Sequence, residues 1–198
     1  MSLLIETIKL VDGKFRNLFH HEQRMIRSLE TLCGVEEDIV LEEFLHELSV
    51  PQQGVFKCRI VYDDQTKEVE FIPYEPRSVK SLKIVESDRI KYDFKYADRR
   101  QIDKLFENRH GCDDILIIKK AEVTDASYAN IVFRRDDEWV TPWSPLLKGT
   151  MRQKLLDENK IVAEKILLED IPTFQSFKLI NAMLEFDAPE IDVSNIVS

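Results

Sequence analysis

The segment VTDASYANIVF, residues 123–133, breaks an apolar strand pattern with an acidic residue and then resumes it. Half-buried strands alternate apolar and polar positions, but here Asp125 begins a small, polar cluster that ends at Asn130. Considered alone, this pattern favours two strands joined by a turn, because Asp, Ser and Asn are common turn residues. The alternative is a turn that presents the Asp125 carboxylate to a ligand, and other parts of the chain bear on that choice.

The composition describes an ordinary globular protein and narrows the classes of partner. The chain has 198 residues, 43% of them hydrophobic and 33% charged, which suits one large domain or two small ones. Its net charge is -9 and its basic residues are dispersed, so we expect no nucleic-acid partner. No apolar run approaches the ~20 residues of a membrane span, and the first ten residues lack a signal-peptide core. We therefore expect no membrane partner and a cytoplasmic location.

The cysteines give no sign of a stabilising cross-link or a metal centre. Cys33, Cys58 and Cys112 are odd in number and far apart, with no CxxC pair and no His at ligand spacing. The sequence therefore predicts neither a disulfide framework nor a metal site.

The first half of the chain is predicted to form a small N-terminal α+β domain, residues 1–88. Period-two and helical-period patterns in it are bounded by turn residues, notably Asp12–Gly13 and the helix stop Gly34. Predicted strands lie at residues 3–15, 54–64, 67–76 and 81–87. Predicted helices lie at residues 20–34 and 38–48.

The second half, residues 89–198, is predicted to form a larger C-terminal α+β domain. Its helices are expected at residues 98–111 and from Gly149–Thr150 onward. Its strands are expected at residues 90–96, 113–119, 122–133 (with the turn described above) and 138–142.

The aromatic-flanked lysines of IKYDFKYADRR, residues 90–100, are candidate nucleophiles. Strand alternation would place Lys91 and Lys95 on one face and the aromatic residues on the other. Burial lowers the pKa of a lysine and favours the neutral amine that attacks carbonyl groups. The competing interpretation is a solvated strand face.

Three further features suit a phosphorylated pyridine, although each has an ordinary structural explanation. A buried carboxylate such as Asp125 can keep a pyridine nitrogen protonated, which makes pyridoxal phosphate an electron sink. Gly149 and Thr150 open a helix, where amide groups and a partial positive charge favour phosphate. Arg24 offers a planar guanidinium for the same anion. Taken singly, these are a turn acid, a helix cap and a surface arginine.

The order of these features resembles the class IV aminotransferase family, the fold-type IV pyridoxal-phosphate enzymes. That family includes branched-chain and D-amino acid aminotransferases and aminodeoxychorismate lyase. Its motifs E-x-I-K/R, H-x-x-R-L, K-x-x-N-R, an acid followed by Asn, and G-I/V-T-R correspond here to IETIKLVDG, HEQRM, KYADR, VTDASYAN and KGTMRQ. The resemblance implies a mixed α/β (α+β) fold of two domains, like that of D-amino acid aminotransferase, with a shortened N-terminal domain.

The same resemblance implies a catalytic lysine and a set of residues around the cofactor ring. Lys95 would hold pyridoxal 5′-phosphate as a Schiff base and then move the substrate proton. Lys91 stays open as an alternative, because only four residues separate the two lysines. Asp125 would lie at the pyridine nitrogen with Asn130 beside it, and Leu147 would pack against the ring face.

The cofactor phosphate is likewise given a set of residues by the resemblance. Arg24 and the backbone amides of Thr150 and Met151 would bind it, with Gly149 allowing close approach. Asn181 and Ala182 would close the phosphate site with a second backbone turn.

Several departures from the family pattern limit what the resemblance implies about the substrate. The acid is Asp125 where the family usually has Glu, and the chain is several dozen residues shorter than typical relatives. The segment CRIVYDD replaces a T-R-G element that contacts substrate carboxylates, so Arg59 is a candidate for that contact or an ordinary residue of the sheet surface.

The expected activity is that of an aminotransferase or a 4-amino-4-deoxychorismate lyase. The substrate would be a small amino acid or an aminodeoxychorismate-like molecule, and the protein would be a homodimer. The segment KLINAML resembles the lyase version of its motif more than the aminotransferase version. The alternative is a shortened, non-catalytic relative that serves as a binding or regulatory module.

Overall fold

The chain forms two compact units, each with its own β-sheet. The computed structural model describes residues 3–35 and 39–198. The first unit comprises residues 1–76 and 94–98, and the second comprises residues 77–93 and 99–198. The sequence prediction drew one boundary, between residues 88 and 89. The structure instead groups residues 77–88 with the second unit and residues 94–98 with the first.

The described part of the first unit contains an antiparallel sheet of four strands in the order β2-β1-β3-β4. These strands are β1 (Leu4–Val11), β2 (Lys14–Phe15), β3 (Val55–Tyr62) and β4 (Lys67–Pro73). The predicted turn between β1 and β2 is confirmed, and both of its residues, Asp12 and Gly13, have positive φ angles of 48° and 75°. A two-residue turn of this kind matches the twist of the strands it joins.

Two helices cover this sheet, α1 (Leu18–Cys33) and α2 (Leu41–His46). Helix α1 ends where the sequence predicted, because Gly34 adopts a φ of 66° and its amide donates to the Glu30 carbonyl. Met25 and Leu29 are fully buried on its inner face. The predicted start of α2 at Asp38 lies outside the described residues. The core of the unit is apolar and consists of Leu4, Ile8, Met25, Leu29, Ile39, Leu41, Leu45, Cys58, Ile60 and Tyr62.

The described part of the second unit contains a nine-stranded sheet of order β10-β9-β8-β7-β6-β5-β13, with β11 pairing to β8 and β12. The strands are β5 (Leu82–Glu86), β6 (Asp114–Lys119), β7 (Glu122–Ala126), β8 (Asn130–Arg135), β9 (Glu138–Pro142), β10 (Val162–Glu164), β11 (Ser176–Ile180), β12 (Ile191–Asp192) and β13 (Ile196–Val197). Strand β5 was predicted as a strand of the N-terminal domain, but it pairs in parallel with β6, whose first five residues are buried. That pairing explains why residues 77–88 group with the second unit.

The helices of the second unit are α3 (Arg100–Phe106) and α4 (Thr150–Asp157). The predicted strand at residues 90–96 is wrong: this segment is irregular, and only Tyr96 makes an isolated bridge, to Leu4. Helix α3 is shorter than predicted and continues as a 3₁₀ turn, residues 107–109, before Gly111. Of the helices in the described part of the chain, none is both long and apolar enough to cross a membrane.

Candidate functional site

The segment around Asp125 forms the strand, turn and strand that the sequence predicts. Asp125 in β7 lies opposite Asn130 in β8, and the Ala126 amide donates to the Ala129 carbonyl at 3.0 Å to close the turn. Asp125 and Asn130 are each 5% exposed. The turn therefore holds a buried carboxylate rather than a solvated one, which an ordinary surface turn does not require.

The Asn130 side chain and the backbone of the loop before α4 hold the Asp125 carboxylate. The Asn130 carboxamide donates to its Oδ1 at 2.7 Å, and the Leu147 amide donates to its Oδ2 at 2.9 Å. Burial raises the pKa of Asp125 to about 6, against the opposing effects of Leu147, Asn130 and Arg152. Each carboxylate oxygen can accept a further hydrogen bond, since it has two acceptor positions. Asp125 is therefore ionised above about pH 6 and can bind a donor such as a protonated ring nitrogen.

Gly149 packs directly against the Asn130 side chain, so any larger residue there would force Asn130 to move. A Cβ atom at Gly149 would overlap the Asn130 Oδ1 atom. The Asn130 Nδ2 atom also donates to the Leu147 carbonyl at 2.8 Å, so Asn130 fixes both the carboxylate and the loop before α4. The first amides of α4 belong to Thr150 and Met151, which are buried. Because the first amides of a helix lack partners within the helix, they can bind an anion.

The predicted second turn, at Asn181 and Ala182, is joined to the same region. It follows β11, whose last residue, Ile180, pairs with Asn130. The Asn181 Oδ1 atom accepts from the amides of Met183 and Leu184, each at 2.8 Å. Its Nδ2 atom donates to the carbonyl of Tyr128, in the turn after Asp125, at 3.3 Å. The second unit therefore holds Asp125, Asn130, Leu147 and Gly149 in one packed group and joins the Asn181 turn to the turn after Asp125.

Arg24, in the first unit, belongs to a buried cluster of charged and polar residues. Its Nε and Nη2 atoms donate to the two carboxylate oxygens of Glu6 at 2.8 and 2.5 Å, and His21 Nδ1 lies 2.5 Å from Glu6 Oε2. Burial raises the pKa of Glu6, but Arg24 and His21 overcome this effect and hold that pKa at about 2. Burial also lowers the pKa of His21, more than its contact with Glu6 raises it. Arg24 is therefore a buried, oriented guanidinium and not a helix-surface residue.

Lys95 lies beside this cluster through its backbone. The Ile5 amide donates to the Lys95 carbonyl at 2.9 Å, and the Ala97 amide donates to the Leu3 carbonyl at 2.8 Å. These bonds hold residues 95–97 along the start of β1, the strand that carries Glu6. The charge of Lys95 contributes to the lowered pKa of His21. The first unit therefore brings Lys95 and Arg24 to one cluster.

Lys91, the alternative lysine, has a different environment. It is exposed in the irregular segment of the second unit, whereas Lys95 is half-buried. The choice of Lys95 over Lys91 stays a prediction, and the half-buried position of Lys95 is compatible with it.

Arg59 is an ordinary residue of the sheet surface in this structure. Its Nη1 atom forms a 2.7 Å ion pair with Glu70 across β3 and β4, and the two side chains are 36% and 53% exposed. A guanidinium engaged in this way offers no specific sign of a substrate contact.

The sequence reasoning missed several side chains that support the site. Glu6 and His21 lie within the quoted motifs IETIKLVDG and HEQRM, and Arg152 is the last residue of GTMR, but none was given a role. Arg99 was also missed, although its Nη2 atom donates to the Ser127 carbonyl at 2.7 Å in the turn after Asp125. Their positions in the motifs were the available signal.

Comparison with known proteins identifies the family. The family model described as amino-transferase class IV matches residues 93–186. A crystal structure of a protein from Haemophilus somnus 129PT, proposed to be a 4-amino-4-deoxychorismate lyase, matches this chain at 34% identity and a TM-score of 0.87. The match covers 92% of this chain and 97% of that protein. The chain belongs to the class IV aminotransferase family. The predicted fold-type IV architecture is thereby confirmed.

Two further comparisons concern the sequence and the fold. An uncharacterised protein of Haemophilus influenzae (strain Rd) is 40% identical over 185 residues, which cover 92% of this chain and 98% of that protein. A hypothetical aminotransferase of Mycobacterium tuberculosis in its PLP-bound form shares the fold at a TM-score of 0.77 and 18% identity, covering 96% of this chain and 80% of its own. Members of the family, including PLP-bound structures, use pyridoxal phosphate.

The residues of this chain fit that cofactor. A pyridoxal phosphate molecule needs an acceptor for its ring nitrogen, donors for its phosphate and an amine for its aldehyde. Within the second unit, the Asp125 carboxylate is an acceptor and the first amides of α4 are donors of the kinds required. Within the first unit, Arg24 is a buried guanidinium and Lys95 a half-buried amine. The Asn130 side chain occupies the space that a Cβ at Gly149 would fill, so the glycine lets the loop before α4 pack against Asn130.

Proposed function

We propose that the protein is a pyridoxal 5′-phosphate enzyme that acts on a small amino acid-like substrate. The observation that carries this proposal is the Asp125 carboxylate, which is buried, ionisable near neutral pH and held by Asn130 beside the start of α4. Burying a carboxylate is costly, so a buried carboxylate with unfilled acceptor positions indicates a ligand that donates to it.

The residues of the proposed cofactor site have distinct tasks. When bound, the cofactor supplies an electron sink for the bonds at the substrate α-carbon. Asp125 holds a proton on the pyridine nitrogen by accepting a hydrogen bond from it. The amides of Thr150 and Met151 bind the phosphate, and Arg24, oriented by Glu6, adds a charged donor.

Further residues complete the proposed site. Leu147 packs against the ring, and its backbone anchors Asp125. Asn181 and Ala182 form the turn that closes the phosphate site.

Lys95 is the proposed catalytic residue. Its amine would hold the cofactor through the cofactor's aldehyde group and, when free, would carry the proton of the substrate α-carbon. Its half-buried position and its contact with the Glu6 cluster support this assignment over Lys91.

We propose 4-amino-4-deoxychorismate as the substrate, cleaved to 4-aminobenzoate and pyruvate. The 34% identical Haemophilus somnus structure supports this choice, because it matches the present chain over nearly the whole of both. Aminotransfer is the second candidate, since the matching family model carries that name. A homodimer in the cytoplasm also remains part of the proposal; light scattering that finds only a ~23 kDa cofactor-bound monomer would contradict the dimer.

The cofactor and the lysine can be tested together. We expect the purified protein with added pyridoxal phosphate to absorb near ~410–420 nm, as Schiff bases of this cofactor do. Borohydride should abolish this band and leave a pyridoxyl group on the peptide that contains Lys95. Lys95→Ala should prevent labelling, whereas the matched control Lys91→Ala should retain it. A label on Lys91 would overturn the lysine assignment, and a protein that takes up no cofactor would favour the non-catalytic binding module.

The substrate is tested separately on the loaded protein. Formation of 4-aminobenzoate and pyruvate in equal amounts, lost in Lys95→Ala, is the expected result. Turnover of an amino donor with 2-oxoglutarate and no release of pyruvate from aminodeoxychorismate would replace the lyase with the aminotransferase.

A further inference from the structure

The hairpin that carries Asp125 is held only weakly by its own strands. In the described part of the chain, β7 and β8 pair at a single position, Asp125 with Asn130. On its other side β7 pairs with β6, but the register shifts there, so that Thr124 and Asp125 together lie opposite Ile117. Such a β-bulge bends the strand and re-aims the side chains that it carries. The direction of the Asp125 side chain therefore depends on what else fixes the turn after it.

The turn between β7 and β8 needs hydrogen-bond partners from outside the hairpin. Ala126, Ser127 and Ala129 are buried. The bond that closes the turn joins the Ala126 amide to the Ala129 carbonyl and does not involve the carbonyls of Ser127 and Tyr128. Buried backbone carbonyls are almost always hydrogen-bonded, so the partners of these two carbonyls decide how the turn is held.

Two side chains from other elements supply these partners. Arg99, at the start of α3, donates from its Nη2 atom to the Ser127 carbonyl at 2.7 Å. Asn181, after β11, donates from its Nδ2 atom to the Tyr128 carbonyl at 3.3 Å. A hydrogen bond from a charged donor is shorter and stronger than one from a neutral amide. Arg99 is therefore the stronger of the two anchors of the turn.

The start of α3 fixes Arg99 in turn. Its backbone carbonyl accepts from the Asp103 amide at 2.9 Å, a bond of the first helical turn. Its Nε atom lies 3.7 Å from the Asp103 carboxylate, and the two side chains are 28% and 64% exposed. A long, exposed ion pair of this kind contributes little. The bond to Ser127 is therefore the contact that sets the direction of the Arg99 guanidinium.

We propose that Arg99 is a positioning residue that aims the Asp125 carboxylate at the ring nitrogen of the cofactor by fixing the turn after it. This inference rests on the proposed function, because the ring nitrogen is the group assigned to Asp125 there. Arg99 touches neither substrate nor cofactor and acts through the backbone of Ser127. Without Arg99, the turn keeps one strand pair and the Asn181 bond, and the carboxylate is free to rotate away from the nitrogen.

The first measurement follows amide hydrogen exchange by NMR in the cofactor-free protein. Arg99→Met removes the donor but keeps an unbranched side chain. In this variant we expect the Ala126 amide, which closes the turn, to exchange at least about tenfold faster, because a charge-assisted bond to the turn is lost. The amides of β6 should exchange as in the wild type. Urea unfolding confirms that each variant is folded; if Arg99→Met does not fold, Arg99→Gln, which also removes the charge, replaces it.

The second measurement reads the ring nitrogen in protein loaded with pyridoxal phosphate that carries ¹⁵N in its ring. The ¹⁵N chemical shift reports whether the nitrogen holds a proton, and it does not depend on activity. In Arg99→Met we expect the pKa of the ring nitrogen to fall by about one unit or more relative to the wild type, because a carboxylate that rotates away stabilises the proton less. Asp103→Asn is the matched control. It removes the weak ion pair, keeps the bond to Ser127 and should match the wild type in both measurements.

The outcomes separate this inference from the proposed function. Faster exchange confined to the turn, together with a lowered pKa of the ring nitrogen, supports the inference. Unchanged exchange in a folded Arg99→Met overturns it even if the wild type binds pyridoxal phosphate, and so does faster exchange throughout the second unit, which would make Arg99 a general stabiliser. A loosened turn with an unchanged ring nitrogen also overturns it. A wild type that binds no pyridoxal phosphate overturns the proposed function, and a loosened turn would then leave Arg99 a purely structural anchor.

Discussion

Replacement of Gly149 by alanine tests whether the packed group around Asp125 is as tight as the structure indicates. The φ of Gly149 is -69°, which any residue can adopt, so the glycine is not required by backbone conformation. What excludes alanine is the Asn130 Oδ1 atom, which occupies the space of the added methyl group. The substitution therefore forces Asn130 to move.

The expected cost follows from the hydrogen bonds that Asn130 would lose. Its donation to the Asp125 carboxylate at 2.7 Å is worth about 1.5–3 kcal/mol, and its donation to the Leu147 carbonyl at 2.8 Å about 0.5–1.5 kcal/mol. We therefore expect Gly149→Ala to lower the free energy of unfolding by about 2–4 kcal/mol. Without the overlap, alanine in place of glycine at a helix N-cap would cost only a few tenths of a kcal/mol to about 1 kcal/mol.

A double-mutant cycle with Asn130→Ala isolates the overlap. In the Asn130→Ala background the methyl group has room, so Gly149→Ala should cost less than about 1 kcal/mol. Both tryptophans, Trp139 and Trp143, lie in the second unit, so urea unfolding followed by tryptophan fluorescence reports on the unit that contains the change. Additive effects of the two substitutions, or a stable Gly149→Ala protein, would refute the packing argument.

Three further predictions concern charged groups. The pKa of Asp125 in the folded protein, about 6, lies above its usual 3.8. The cofactor-free second unit should therefore gain about 3 kcal/mol in free energy of unfolding as the pH falls from above 6 to below 3.8. Unfolding followed by tryptophan fluorescence should show this gain in the wild type and not in Asp125→Asn. The pKa of Glu6, about 2, lies below its usual 4.5, so its stabilising contribution should be lost as the pH falls from 4.5 to 2. Glu6→Gln should lower the free energy of unfolding by about 3–5 kcal/mol at pH 7, because Arg24 would remain buried without its carboxylate. Circular dichroism measures this loss, and a loss below about 1 kcal/mol would contradict the buried pair. Breaking the exposed Arg59–Glu70 pair with Arg59→Ala should change stability by less than about 1 kcal/mol and leave KM unchanged; a large rise in KM would return Arg59 to the substrate site.

Local patterns were enough to predict the elements that position the second-unit residues. The break in VTDASYANIVF predicts the β7–β8 hairpin, and the Gly149–Thr150 pair predicts the start of α4, because both features depend on neighbouring residues alone. Gly34 predicts the end of α1 for the same reason. Strand partners were not predictable in this way. The pattern of residues 81–87 identifies a strand, but its pairing with β6 depends on residues about thirty positions later.

The lysine segment illustrates the opposite case. Alternating residues in IKYDFKYADRR suggest a strand, yet the segment is irregular because only residues 95–97 pair with a strand, at the start of β1. Its burial pattern partly survives, with Tyr92 buried and Lys91 exposed. An alternating pattern reports which side chains are buried, but a strand also requires a continuous row of hydrogen-bond partners.

The sequence by itself determined the residue types and order of the proposed site, and through them the family. Only the tertiary structure decided how those residues are held. Three features depend on contacts between residues distant in the chain. They are the packing of Asn130 against Gly149, the ion pair of Arg24 with Glu6 and, within the described part of the chain, the buried Arg152 Nε atom that has no hydrogen-bond partner. Charge and burial act through space, so the raised pKa of Asp125 is a property of its surroundings and could not be read from the turn that carries it.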